Sequence, residues 1–485
     1  MAAVTGKRVQ ARLDRASGAR RLRRRDTEVS GDTRPDMSRP AGTDLVPEIR
    51  HIVVLMMENH SFDNYLGHLG RGDGLAGDPA VNVLPDGTEV ASHHFPTTEQ
   101  RPDVPSQSWR SSHIAFDDGR NGGFAAAVQD MDPDADPSLA MGYWEERDIP
   151  FYHGLARTFA LADRWFCSCL GPTFPNRRFL LAATANGLMD DAIAGIIDHP
   201  RNGTILDLLN RFGVTWTNYH HVPPLHMWRK QFASRAGRMA TLAVAGLIPR
   251  VDATVRGEMR CTANLYPLGL FRTIGHLRHI DRFFSDAAKG TLPSVSIVDP
   301  DFASCSEENP EDIQIGESFA ADVVNAVMRG PAWPHTLLVW LYDEHGGYFD
   351  HVPPPAAEVP DDVPPHSLVS GRGPVQWLTR HLGLGSSLHH QDDAPGSYDR
   401  YGFRVPAVLV SPRSRPGSLS STVYDHTSVL RLIEDKWNLP SLTRRDRVAT
   451  APWEMLDLDG PPAFLDPPEL PAPARPGAWR SSSGA

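Results

Sequence analysis

Two short apolar runs dominate the hydrophobic pattern of this chain, and each stops abruptly on a polar cluster. The first, Ile52 to Met57, ends at Glu58-Asn59-His60-Ser61, with Asp63 and Asn64 close behind. The second, Thr336 to Tyr342 (TLLVWLY), ends at Asp343-Glu344-His345-Gly346-Gly347, with Asp350 and His351 shortly after. Runs of this length read as buried strands. A weaker strand over Ser294–Val298 ends the same way, at Asp299, and further strands are expected over Val214–Tyr219 and Val405–Val410. Between them the spacing becomes helical. Phe151, Leu155, Phe159 and Ala162 recur at helical intervals in FYHGLARTFALADRWF, and helices are also expected over Asn176–Gly187, Thr204–Phe212, Leu270–Phe284 and Gly316–Met328. A last one, Ser428–Trp437, has Asp425 as its N-cap.

Strands and helices in this order predict an α/β core, and in open α/β sheets chemistry gathers beyond the carboxyl ends of the strands. Glu58, Asn59, Asp343 and Glu344 stand there and offer oxygen ligands to a hard cation. One such strand end is equally a polar turn; three in one chain are hard to attribute to turns alone. Thr173 follows the Gly171-Pro172 turn on the approach to a helix N-terminus, where backbone N–H groups favour an anion. It is read either as a cap or as part of a site. His426 is read either as a site residue or as ordinary capping. The pairs His220-His221 and His389-His390 read as loop histidines.

The polar, Gly- and Pro-rich stretches define excursions from this core, at about 68–145, 222–260 and 353–400. Residues 1–44 read as a disordered basic tail, 45–460 as the catalytic domain, and the Pro/Ala/Ser-rich 461–485 as a loose C-terminal tail. Arg20 to Arg25 (RRLRRR) resembles the start of an export signal, but no apolar h-region follows, so the location is left open between cytoplasmic and secreted. No apolar run approaches a membrane span. The net charge of −11 over 485 residues argues against nonspecific nucleic-acid binding. Cys167, Cys169, Cys261 and Cys305 contain no CxxC pair, which disfavours a structural zinc site and leaves free thiols or one distant disulfide.

Four ordered motifs carry a resemblance: ENHSFDNYLG (Glu58 to Gly67), PTFPNR (Pro172 to Arg177), DEHGGYFDHV (Asp343 to Val352) and GFRVPAVLVSP (Gly402 to Pro412). Together they resemble the phosphoesterase family that contains bacterial phospholipases C, plant non-specific phospholipase C and a class of bacterial acid phosphatases. The resemblance implies an alkaline phosphatase-like α/β fold: a doubly wound, mainly parallel sheet flanked by helices, with loop and cap insertions. It implies that Glu58, Asn59, Asp343, Glu344 and Thr173 hold a divalent metal ion (Ca, Mg, Mn or Zn), and that Thr173 is also the nucleophile. A threonine hydroxyl is a weak nucleophile that a bound cation activates. His113, His345 and His351 are candidates for protonating the leaving oxygen or contacting phosphate. His60, Asp63 and Asn64 are expected to support the cradle. Arg177 is a candidate for binding the substrate phosphate, and could equally brace a carboxylate.

The chain departs from the family's pattern at one place. Many relatives carry an acidic residue followed by His-Pro after the strand that ends here at Asp299; this chain has Glu307-Glu308-Asn309-Pro310. An amide cannot act as a general acid near neutral pH, so Asn309 is expected to contact substrate at most. The expected function is hydrolysis of a phosphate ester, phospholipase C-type cleavage of glycerophospholipids first. A broad phosphomonoesterase or a catalytically impaired binding protein of the same fold are the alternatives. A lipid substrate implies transient membrane contact, which the acidic body does not favour.

Overall fold

The two strong apolar runs lie side by side at the centre of an eight-stranded sheet. The computed structural model describes residues 32–75, 77, 79–102, 104–191, 199–221, 261–266, 273–365 and 396–482. The strands are His51–Met57 (β1), Ala160–Ala162 (β2), Trp216–His220 (β3), Leu277–His279 (β4), Val295–Val298 (β5), Thr336–Tyr342 (β6), Ala407–Val410 (β7) and Leu419–Ser420 (β8), in the order β8-β2-β7-β6-β1-β5-β3-β4. Only β7 runs against its neighbours; every other pair is parallel. All of β6 and all of β1 beyond His51 are buried. Alternate residues point to opposite faces, so both faces are covered, as parallel strands require.

Register places the chemistry. Met57 pairs with Tyr342, so Glu58-Asn59 and Asp343-Glu344 leave adjacent strands at the same level. Leu55 pairs with Val298, which brings Asp299 in beside them. Four helices matter for the site: Phe62–Leu66 (α1), Thr173–Ala182 (α2), Ile313–Arg329 (α3) and His426–Lys436 (α4).

Several elements differ from the sequence expectation. The helix begun at Pro150 stops at Thr158, and Ala160–Ala162 enters the sheet beside β7. Three buried residues are too few to display a strand period. The helix of the PTFPNR motif starts at Thr173, not Asn176, because Pro175 is tolerated in a first turn; it ends at Ala182. Within the expected helix Leu270–Phe284, residues 277–279 form β4 and the helix begins at Ile280. The excursion after β1 carries a hairpin, Val81–Val83 with Glu89–Ala91, and helices Trp109–Phe116 and Phe124–Met131 around a second apolar cluster. The insertion at 222–260, His389-His390 and residues 1–31 lie outside the described residues. All four cysteines are buried, and Cys167, Cys169 and Cys305 are free thiols. No helix among the described residues is long and apolar enough to cross a membrane.

Both ends of the described chain pack. The Asn438 side-chain amide donates to the carbonyls of Asp36, Arg39 and Pro40. Trp479 is 3% exposed, meets Phe284 and Phe319, and donates to Asp322 Oδ2 at 3.0 Å. The 461–485 segment is therefore not loose over its described residues: its bland composition hides one large anchor. Trp479→Ala should lower stability by about 3 kcal/mol, read as a denaturant midpoint; a loose tail would leave the midpoint unchanged.

Candidate active site

Adjacent parallel strands end in acids, and the backbone then turns sharply to keep them together. Asn59 adopts a left-handed conformation (φ 79°), as do Gly346 and Gly347. A Cβ on Gly346 would lie 2.0 Å from the Asn59 carbonyl oxygen, so only glycine permits this approach. The Asn59 side-chain amide sits 2.7 Å from Glu344 Oε1 and 3.1 Å from Asp343 Oδ1. Turned one way, its nitrogen donates to both carboxylates and its oxygen accepts from Gln107 Nε2 at 3.2 Å. Turned the other way, its oxygen faces one oxygen of each carboxylate, contacts that a bound cation or a carboxyl proton would reconcile. The donor set is all oxygen and suits a hard or borderline divalent ion.

Arg177 organises these acids from below. Its Nε donates to Asp343 Oδ2 at 2.8 Å and lies 3.6 Å from Glu58 Oε1. Its Nη1 donates to Thr262 Oγ1 at 3.0 Å and Asp299 Oδ1 at 3.2 Å, and its Nη2 to the Met56 and Met57 carbonyls at 3.2 and 3.3 Å. All five guanidinium donors are thus engaged within the protein. The expected substrate-binding role is replaced by bracing, since no N–H is left for a phosphate. Asp299 is saturated too, accepting from Thr262 N, Thr262 Oγ1 and Asn218 Nδ2 besides Arg177. Burial pushes the Asp343 carboxyl up to about 6 against the pull of Arg177, and burial and then Asp343 push Glu344 up.

Thr173 is set by a loop wound around one side chain. Asn176 Oδ1 accepts from the Ser168 and Cys169 amides at 2.8 and 3.0 Å. Its Nδ2 donates to the Gly171 and Pro172 carbonyls at 2.8 and 3.1 Å. Thr173 is thereby the first residue of α2, buried to 5% exposure, and the next amide, Phe174 N, donates to Asp191 Oδ1 at 2.8 Å. The start of α4 joins this loop to β6. Ser168 Oγ donates to Asp425 Oδ2 at 2.8 Å, and His426 Nε2 donates to the Asp343 carbonyl at 2.6 Å. Burial pushes the His426 imidazole down to about 4, so it does this as a neutral donor.

The other expected residues divide between support and separate clusters. His60 accompanies its expected role: it bonds Asn64 Oδ1 at 2.8 Å and the Glu307 carbonyl at 3.2 Å, stacked between Tyr65 and Tyr348. His345 is buried against Phe403 with Nδ1 3.3 Å from Glu344 Oε2, and burial pushes its imidazole down to about 3. It cannot carry a proton near neutrality. His113 Nδ1 donates to the Trp109 carbonyl at 2.7 Å within its own helix, and its Nε2 faces Gly396. Asn309 donates to the Val104 carbonyl at 2.9 Å, which makes it a loop brace.

His351 belongs to a different group. Asp63, Asp350 and His351 place ligand atoms within 4.8 Å of one another, an arrangement able to hold a metal ion. Arg404 already lies among them, donating to Asp63 Oδ1 at 2.9 Å and Asp350 Oδ1 at 2.8 Å. His351 Nδ1 donates to Asp63 Oδ2 at 2.6 Å; burial opposes its charge, but this bond prevails and raises its pKa.

Sequence reasoning missed Asn176, Gln107, Asp191 and Glu308. Asp191 and Glu308 interact electrostatically with Asp343 and Glu344. Glu308 is delivered by its neighbour: Glu307 is buried and accepts from the hydroxyls of Tyr65, Tyr152 and Tyr342 at 2.8, 2.5 and 2.5 Å. Three scattered tyrosines meeting one carboxyl leave no signal in a single sequence.

The chain is 29% identical over 411 residues to a non-hemolytic phospholipase C of Pseudomonas aeruginosa, covering 81% of this chain and 54% of that protein. It is 28% identical over 441 residues to phospholipase C B of Mycobacterium tuberculosis, covering 81% and 74%. Non-specific phospholipase C6 of Arabidopsis thaliana is 27% identical over 427 residues, covering 82% and 70%. The chain thus spans about half the length of the Pseudomonas protein and about three quarters of the mycobacterial one. A solved protein of the alkaline phosphatase superfamily from Vibrio parahaemolyticus overlays with TM-score 0.37 at 9% identity, over 84% of this chain and 71% of its own. The profile of the Phosphoesterase family matches residues 49–440, a span that includes β1, α2, β6, β7 and the acids they carry, and the chain belongs to that family.

Proposed function

We propose that this protein is a metal-dependent phosphoesterase that uses Thr173 as its nucleophile and cleaves glycerophospholipids in the manner of a phospholipase C. The observation that carries the proposal is the cradle itself: Asn59, Asp343 and Glu344 converge at one strand level, held by an arginine that has no donor left for anything else. The names of the relatives support the substrate class. Glu58, Asn59, Asp343, Glu344 and Thr173 would hold the metal. A divalent ion bound there favours the threonine alkoxide and offsets charge on the phosphoryl oxygens.

Each remaining part has a role in the same reaction. The Asn176-centred loop fixes the backbone on the approach to Thr173. Thr173 Oγ1 attacks phosphorus, its proton passes to solvent, and the P–O bond to the glyceryl oxygen breaks; that oxygen takes up a proton and leaves as diacylglycerol, while the head-group phosphate stays on Thr173 as a phosphodiester. Water then attacks the same phosphorus, the bond to Thr173 Oγ1 breaks, the hydroxyl regains a proton and the phosphorylated head group is released. The backbone N–H groups at the start of α2 favour the phosphoryl oxygens throughout.

Purified protein should hydrolyse p-nitrophenyl phosphorylcholine, more slowly or not at all p-nitrophenyl phosphate, and lose turnover on chelation. No turnover of either compound with metal supplied would sink the proposal. Thr173→Ala should lower kcat by about a thousandfold or more; full activity in that variant would remove Thr173 from the mechanism. Arg177→Gln separates bracing from substrate binding. Bracing predicts metal affinity about 10–100-fold weaker, measured by metal titration, with KM at saturating metal nearly unchanged; a raised KM with normal metal affinity would restore the substrate role.

A further inference from the structure

The nucleophile helix makes a contact that the proposed chemistry does not use. Phe174 N, one residue past Thr173, donates to Asp191 Oδ1 at 2.8 Å. Amides at a helix N-terminus are seats for anions, and an oxygen of a phosphoryl group under attack by Thr173 comes within reach of this one. In this structure a carboxylate holds the seat. Asp191 interacts electrostatically with Glu308 and Asp343, and Glu308 is carried to the same place by the tyrosine-clamped Glu307. Arg177, the cation bonded to Asp343, has every donor engaged and cannot offer a fork to a second phosphate charge.

We infer that Asp191 and Glu308 make the site select singly charged phosphodiesters over doubly charged phosphomonoesters. The inference rests on the phosphoesterase reading above and narrows it to a substrate class. A diester carries one negative charge and a monoester nearly two at neutral pH. A like charge about 4 Å away disfavours the additional charge by about fivefold in water and up to about a thousandfold in a less polar cleft. A diester meets the same acids with one charge in place of two, so it escapes the penalty on the additional charge. Asp191 therefore acts as a filter on charge, seated where the extra charge of a monoester would fall.

The test removes the charge and keeps the hydrogen bond. Asp191→Asn retains an amide oxygen for Phe174 N–H; Glu308→Gln is the companion variant. The surface of Asp191 reaches solvent, yet the protein crowded around it and the acids Glu308, Asp190 and Asp343 push its carboxyl up to about 7. Measurements at about pH 8.5 therefore have it ionised. Binding of inorganic phosphate and of diethyl phosphate is measured by calorimetry in Mg²⁺, alongside kcat/KM for p-nitrophenyl phosphate and bis(p-nitrophenyl) phosphate. Asp191→Asn should tighten phosphate binding more than diethyl phosphate binding, by a ratio of about fivefold or more, and shift the activity ratio toward the monoester. Equal changes for both ligands, or no change, would overturn the inference. If the wild type turns over neither ester but the binding ratio still shifts, charge selection stands and the catalytic reading fails. Should Asp191→Asn lose its thermal transition, the binding ratio of Glu308→Gln decides by the same criterion.

Discussion

A single buried guanidinium holds the acids of the candidate site together. β1, β5 and β6 end side by side in Glu58, Asp299 and Asp343, and carboxylates this deep repel one another and lose their hydration. Arg177 answers both problems, bonding Asp343 and Asp299 directly and standing 3.6 Å from Glu58. Its remaining donors take the Met56 and Met57 carbonyls, which are the last backbone groups of β1. The strand ends, and not only the side chains, are therefore tied to one group. Removing one partner of a buried pair of this kind typically costs about 3–5 kcal/mol, so the site's geometry and the stability of the sheet's carboxyl edge are coupled.

Arg177 is also four residues along α2 from Thr173, on the same helical face. Thr173 and the brace of the acids thus lie on one helix, and the start of α4 closes the loop by bonding Ser168 on one side and the Asp343 carbonyl on the other. Burial pushes the His426 and His345 imidazoles down, so both are neutral near pH 7; His426 donates to the Asp343 carbonyl and His345 packs against Phe403.

The strands that carry the site were legible because their burial on both faces writes an unbroken apolar run, and the abrupt acids at Glu58 and Asp343 mark where each run leaves the core. β6 spans the residues expected, and β1 begins one residue earlier. The three-residue strand Ala160–Ala162 was not legible, since its period cannot be counted, and neither was the anchoring Trp479 inside a Pro- and Ala-rich stretch. The histidines were the least legible. His113, His345 and His351 carry the same functional group, and only spatial neighbours separate a histidine bonded back into its own helix, a buried wedge and a half-buried ion-paired residue. Asp191 and Glu308 were missed for the same reason: their meaning lies in what they face.

The two arginine-centred clusters show how a site differs from a structural knot of the same composition. Asp63 and Asp350 surround Arg404 as Asp343 and Asp299 surround Arg177. Around Arg404 every carboxylate oxygen finds a donor: Asp63 Oδ1 from Arg404, Asp63 Oδ2 from His351 N and Nδ1, Asp350 Oδ1 from Arg404 and Val352 N, Asp350 Oδ2 from Asp63 N. A cation entering there would have to displace bonds that already balance the charge. Above Arg177 the hydrogen bonds are also made: Asp343 Oδ1 accepts from Glu344 N at 2.8 Å, Asp343 Oδ2 from Arg177 and Glu344 Oε2 from Gly346 N at 2.8 Å. The charges are not balanced there, because Glu58, Asp299, Asp343 and Glu344 gather about one guanidinium, whereas Asp63 and Asp350 meet Arg404 and His351. Charge balance, not donor count, therefore separates the two, and the surplus of acid lies at the ends of β1 and β6.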